Sequence, residues 1–263
     1  MTIIYANPNL FRVLSNIYQR KGTPMPAQYV TGDQTYASIF LDHSTGGNIH
    51  NKRSLQLFKH DNFFPKTYFE LEKSPINNTD RTFFLKPYKA DNSSGIELLY
   101  GDLVPPIIPK NFMLQEEIIP KLYNKRKFDI RVLCCISRTG KIMIYKNIFY
   151  RINPKEYFQD NKNRLDKSYQ FTAPVATGSL ISFFEKTRPG QFEWENYIGQ
   201  IKYLVPKIYD RLLPCANRGF SNALESCFMI SGLDFIPDNK NNKLKFLEVN
   251  LTPGWYINHG IEN

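Results

Sequence analysis

The chain has 263 residues, with 34 Lys and Arg against 24 Asp and Glu, a formal net charge of +10. Hydrophobic residues make up 42% and charged residues 22%, which excludes a disordered chain and suits one large domain or a few small ones sharing a core. No apolar run approaches a membrane span, no internal repeat occurs, and Cys134, Cys135, Cys215 and Cys227 lack metal-ligand spacing. The cysteines read as buried thiols of a reducing compartment. The opening Met1–Pro8 lacks the basic start and apolar core of a secretion signal, so a cytoplasmic location is expected. The positive surplus favours an acidic partner. It is spread along the chain without a basic tail, which argues against nucleic acid.

In chain order, Leu10, Val13, Leu14 and Ile17 predict a helix over residues 7–20. A second short helix is expected over Asn51–Lys59, then a strand entered through a proline at Phe63–Tyr68. Together these make an α/β lead-in, residues 1–75. The polar stretch Lys73–Arg81 reads as a linker. Strands at Thr82–Pro87, Ile96–Gly101 and Phe112–Ile118 fill a central unit, 76–120. The last unit, 121–263, starts with a long hairpin from Phe128 to Ser137 and back through Lys141 to Tyr150, turning at Thr139-Gly140. Residues 153–193 are polar and irregular, the composition of a substrate-contacting loop. Ile198, Ile201, Leu204, Val205, Ile208 and Leu212 predict a helix that Pro206 should kink or end.

Two apolar strands, Met229–Asp238 and Leu244–Pro253, close the chain around a polar turn. Folding this hairpin about Asn241 sets Asp234 opposite Glu248. Asn250, two residues beyond Glu248, shares its face. Two carboxylates among Phe235, Phe246, Leu247 and Val249 need compensation, and a hard cation such as Mg²⁺ supplies it through oxygen ligands. Solvated polar positions on an ordinary hairpin are the alternative.

Lys86 lies on the apolar strand Phe83–Pro87 ahead of Asn92-Ser-Ser-Gly95, a loop that could drape N–H groups over phosphates; an ordinary turn is the alternative. Lys127, Asp129 and Arg131 alternate with Phe128, Ile130 and Val132, and Arg151 returns within a residue or two of Asp129 across the hairpin. This polar ridge could hold an anionic substrate and a developing negative charge, or be a solvated, salt-bridged sheet face. Gln115 and Glu116-Glu-Ile118 sit on an expected strand edge where a nucleobase could pair with backbone groups. His43, His50, His60 and His259 show no metal spacing, and no Ser/His/Asp or Cys/His nucleophile pattern occurs.

Taken in order, Phe63–Tyr68, Phe84–Pro87 with Ser94–Ile96, Leu114–Ile118, Arg126-Lys-Phe-Asp-Ile-Arg131, Arg151, Gly232–Phe235 and Leu247-Glu-Val-Asn250 with Pro253 resemble the tubulin–tyrosine ligase-like family of ATP-grasp enzymes. The resemblance runs from about Asn51 to Gly254. It implies an α/β ATP-grasp fold of antiparallel sheets with flanking helices, and an ATP-dependent carboxylate–amine ligase working through an acylphosphate. By the same resemblance, Lys86 contacts ATP phosphates, Ser93, Ser94 and Gly95 form the phosphate loop, and Gln115, Glu116, Glu117 and Ile118 line the adenine pocket. Asp234, Glu248 and Asn250 bind Mg²⁺. Lys127, Asp129, Arg131 and Arg151 orient the substrates, a free amino acid and an acidic protein or peptide acceptor, tubulin being the family's usual one. The family's His-Leu-Thr-Asn motif is represented here by Tyr169-Gln-Phe-Thr-Ala173, which keeps only Thr172. A non-catalytic ATP-grasp module that binds acidic tails is the competing expectation.

Overall fold

The computed structural model describes residues 52–75, 81–89, 95–137, 142–144, 148–157, 165–170, 177–179, 194–215 and 228–250. The helix expected over 7–20 and most of the linker lie outside these residues. The short helix expected near residue 51 is a 3-10 turn, Lys52–Phe58. Side chains three apart eclipse in such a turn, so Lys52, Leu55 and Phe58 form one buried row.

Among the described residues two antiparallel sheets make the framework. The smaller comprises β1 (Thr67–Phe69), β2 (Thr82–Pro87), β3 (Glu97–Tyr100) and β4 (Phe112–Glu116), in the order β1-β4-β2-β3. The stretch read as lead-in therefore contributes an edge strand to the sheet of the central unit. One face of this sheet buries Phe83, Leu85, Leu99, Val104, Ile108 and Leu114.

The larger sheet comprises β5 (Leu122–Tyr123), β6 (Arg126–Ser137), β7 (Ile142–Ile144), β8 (Phe149–Glu156), β9 (Thr177–Ser179), β10 (Phe228–Pro237) and β11 (Leu244–Asn250). Its main path is β11-β10-β6-β8-β9, with β5 and β7 also pairing with β6. The return arm of the long hairpin is split: β7 pairs with Cys134–Ile136 and β8 with the first half of β6. β5 was not expected. It turns into β6 through Asn124 and Lys125, both at positive φ, the geometry of a two-residue hairpin turn without its usual glycine.

Alternation along β6 sends Phe128, Ile130, Val132, Cys134 and Ile136 into the main core. Among the described residues two α-helices follow β8 in the chain: the single-turn α1 (Lys167–Gln170) and the long α2 (Trp194–Leu212). The buried stripe Tyr197, Ile201, Leu204, Val205, Ile208, Leu212 of α2 joins the β6 side chains in that core. A fully buried aliphatic or aromatic side chain contributes about 1.5–3 kcal/mol relative to an exposed one, so this stripe outweighs one lost helical hydrogen bond. The helix accordingly continues through Pro206 instead of ending there. The carbonyl that Pro206 cannot bond belongs to Lys202, an exposed residue where water can take its place.

One irregularity positions the chemistry. In β11, Leu244, Phe246, Glu248 and Asn250 have the same parity, so an unbroken strand would send all four to one side. The register instead shifts after Asp234: Asp234 faces Glu248, while Phe235 faces Phe246. Leu247 is the extra residue of this bulge. Phe246 and Val249 are both buried in the core, and Glu248 and Asn250 emerge on the opposite face with Asp234.

Candidate active site

The polar face of the larger sheet carries a contiguous row of charge. Glu248, Asp234 and Arg131 are cross-strand partners on β11, β10 and β6, and Asp129 pairs with Arg151 on β8. The Asp234–Glu248 pairing read from the sequence is observed, although the pairs nearer the turn are shifted by one residue. The solvated alternative is not: Lys127, Asp129, Arg131 and Asp234 are 6%, 5%, 8% and 2% exposed. Buried charge at this density must be paired.

The pairing is extensive. Arg131 donates from Nε to Asp234 Oδ1 and from Nη2 to Oδ2, both at 2.8 Å. Arg151 grips Asp129 with the same fork, at 2.6 and 2.8 Å, and its Nη2 also reaches Asp234 Oδ2 at 3.0 Å. Asn250 donates Nδ2–H to the same Oδ2 at 3.1 Å. Burial pushes the Asp234 carboxyl upward, but Arg131 and then Arg151 outweigh it and hold the group below the usual carboxylate range. At the end of the row, Glu248 lies 3.6 Å from the ammonium of Lys52.

The facing side of the smaller sheet presents lysines in a different setting. Lys86 donates to Gln115 Oε1 at 2.6 Å and lies 5.5 Å from the centre of the Phe84 ring. Gln115 in turn donates to Thr67 Oγ1 at 3.1 Å, which fixes its carbonyl toward the lysine. Lys127 reaches across from β6: its ammonium lies 5.3 Å from the Phe84 ring, 5.8 Å from the Tyr157 ring and 3.2 Å from Gln170 Oε1. Burial is the dominant influence on both. It lowers Lys86 from 10.5 to about 8, with Glu248 opposing and Lys52 and Lys127 adding to the shift. Lys127 is lowered for the same reason, against Glu117 and Asp129. Two sheets thus enclose a cleft with a lysine pole on one wall and a guanidinium–carboxylate lattice on the other.

Gln115 departs from expectation. β4 lies between β1 and β2, so Gln115 is on an internal strand and its backbone is committed to the ladder. Its buried side chain, rather than a strand edge, faces the cleft. Glu116 and Glu117 bond through their amides to Lys66 and Thr82 carbonyls; the Glu116 side chain pairs with Arg81, and Glu117 accepts from Tyr157 Oη at 2.6 Å. Glu116, Glu117 and Ile118 line a cleft of about 330 Å³ bounded by Phe64, Lys66, Thr82, Asp238 and Lys240. Gly95 sits at φ +67°, where an L side chain is strained and a Cβ would come within 3.3 Å of Pro87. Ser93 and Ser94 lie outside the described residues.

Three site residues were missed. Lys52 belongs to a turn read as an ordinary helix; the three-residue spacing of Lys52, Leu55 and Phe58 was the available signal. Tyr157 and Gln170 fall in the stretch read as irregular. Asn153, fully buried, donates to the Ser168 carbonyl at 3.0 Å and Lys155 to Ser168 Oγ at 2.7 Å, docking α1 on β8 and delivering Gln170 to Lys127.

Asp234, Glu248 and Asn250 would hold a hard cation. Two carboxylates and a carboxamide on one face of adjacent strands fit Mg²⁺ in chemistry and placement. Among the described residues no three His, Cys, Asp or Glu side chains converge, so the third protein ligand has to be the Asn250 carbonyl.

Two antiparallel sheets closing on a polar cleft, with helices on the outer face of one, define an ATP-grasp fold. A family model described as Tubulin-tyrosine ligase family matches residues 26–258, and the chain belongs to that family. No curated protein matches the chain. No helix among the described residues is long and apolar enough to cross a membrane.

Proposed function

We propose that this protein is an ATP-dependent ligase that joins a free amino acid to a carboxylate of an acidic protein or peptide. The observation that carries the reading is the convergence of Lys52, Lys86 and Lys127 with the Arg131–Asp234–Arg151–Asp129 lattice in one cleft.

Lys86 and Lys52 neutralise the triphosphate, and the Glu116–Ile118 linker takes the base. Bound Mg²⁺, held by Asp234, Glu248 and Asn250, would supply further charge neutralisation at the phosphates. Arg131 and Arg151 orient the acceptor carboxylate so that its oxygen attacks the γ-phosphate, giving an acylphosphate and ADP. The amine of the second substrate then displaces phosphate, leaving an amide bond. Positioning and a preorganised field account for most of the rate, because the Arg151 fork is already fixed by Asp129.

The test is a mass-spectrometric screen of the twenty amino acids against acidic peptides with Mg-ATP. Peptide mass increases with matching ADP release are expected. Acceptor affinity should fall as salt is added; salt-insensitive binding would remove the acidic acceptor from the reading.

One observation favours a second reading. Asp234 already accepts from three of this chain's own side chains, Arg131, Arg151 and Asn250, as in a site kept only for structure. Stoichiometric binding of an acidic peptide with no ADP release from any amino acid would select that non-catalytic module.

A further inference from the structure

Asp234 Oδ1 accepts one N–H, and Oδ2 accepts from Arg131, Arg151 and Asn250. A carboxylate oxygen has about two lone-pair positions, so Oδ2 is filled beyond that number and only one position on Oδ1, beside the Arg131 guanidinium, is left to a cation until a donor leaves. A cation arriving alone would also meet two guanidinium groups at the same carboxylate, and on the Glu248 side the Lys52 ammonium. Like charges at such range oppose binding strongly where water is excluded.

The two arginines are not held alike. Arg151 keeps a two-pronged grip on Asp129 whether or not it touches Asp234. Arg131 directs both Nε and Nη2 to Asp234. A phosphate oxygen pair matches a guanidinium fork as well as a carboxylate does. A nucleotide in the cleft therefore offers Arg131 an exchange of partners, and the exchange uncovers Asp234.

Building on the ligase reading, we infer that Arg131 is a latch on the cation site. The free protein is closed to divalent metal, and nucleotide phosphates open it by drawing Arg131 off Asp234. Metal and nucleotide then bind as one coupled unit, and by linkage each tightens the other by the same factor.

The experiment follows uptake of Mn²⁺ by the full chain through the loss of the free-ion EPR signal, with and without the non-hydrolysable analogue AMP-PNP, against an AMP-PNP-only control. Wild-type protein alone should take up Mn²⁺ at least about tenfold more weakly than its AMP-PNP complex. The Arg131→Gln chain, shown to be folded by circular dichroism, should take up one ion without nucleotide. Equal uptake by wild-type protein with and without AMP-PNP would overturn the latch while leaving the ligase reading intact. A folded Arg131→Gln protein that takes up no ion alone would overturn the assignment to Arg131. Should AMP-PNP fail to bind whether or not Mn²⁺ is present, both readings fall. If Arg131→Gln does not fold, the wild-type comparison still decides.

Discussion

The two walls of the cleft handle buried positive charge in opposite ways. On the larger sheet, Arg131 and Arg151 meet carboxylates of their own chain at 2.6–3.0 Å. On the smaller sheet, Lys86 rests on a neutral amide and an aromatic ring; Lys127, reaching into the same space, does likewise. The first wall carries its own counter-charge before any ligand arrives. The second leaves its ammonium groups short of solvation and of a full counter-ion, so an incoming anion relieves a cost the fold already bears. Under the proposed ligase reading, which asks the cleft to bind a polyanion and to hold reacting groups still, both walls have a use.

Removing counter-charge from the paired wall should do the greatest damage. Asp234→Asn leaves two buried guanidinium groups short of a carboxylate, and breaking a buried pair in this way costs about 3–5 kcal/mol. Urea unfolding should register that loss, and ADP release should disappear even in the folded fraction. Turnover at the wild-type level would contradict both the metal assignment and the contrast between the walls.

On the lysine wall the same kind of change should act with the reverse sign. In Lys86→Met, nucleotide affinity falls but the free protein becomes more stable. The pH dependence sharpens this. The folded value of Lys86 is lowered from 10.5 to about 8, so between those values the unfolded chain holds a proton the folded one does not. Stability contributed by this group therefore rises as pH climbs from about 8 to 10.5, while affinity for nucleotide declines over the same window. Comparing wild type with Lys86→Met by thermal unfolding and by AMP-PNP titration isolates the effect. Parallel curves for the two proteins would show that Lys86 is compensated after all.

The smallest change is expected at Gln170. Gln170→Met keeps the volume but removes the acceptor from Lys127, a single hydrogen bond to a charged group worth about 1.5–3 kcal/mol at most. Nucleotide binding should weaken measurably while Gln170→Asn or Gln170→Glu recovers part of it. Equal loss in all three variants would mean that Gln170 only fills space.

Much of this was legible in the chain. The alternation around Lys127, Asp129 and Arg131 separated core from cleft because it depends on local periodicity. Folding about Asn241 also set Asp234 against Glu248, but the bulge at Leu247 that reconciles this pair with the register nearer the turn was not legible. The burial of that charged row was not legible, since it comes from a second sheet whose strands lie tens of residues upstream. Gln115 misled for a related reason. Whether a strand is internal or at an edge depends on what pairs beside it, and β1 comes from a stretch read as a separate lead-in. Lys52 was hidden by a turn whose three-residue spacing passes for a helix of ordinary pitch. Gln170 was hidden by polar composition, which does not distinguish a loop from a single helical turn docked by Asn153.

Leu247 has no chemical role, yet the strand's two sides are sorted by its being counted. Replacing it with another apolar residue should change little. Deleting it would make Phe246 and Glu248 neighbours in one register, so plain alternation would still keep Phe246 and Val249 in the core and Glu248 and Asn250 toward the cleft. Deleting Val249 instead would put Glu248 and Asn250 on opposite faces, so a scan by single-residue deletion should find Leu247 the more tolerant of the two positions. The strand's cleft-facing side is thus encoded by arithmetic as much as by composition.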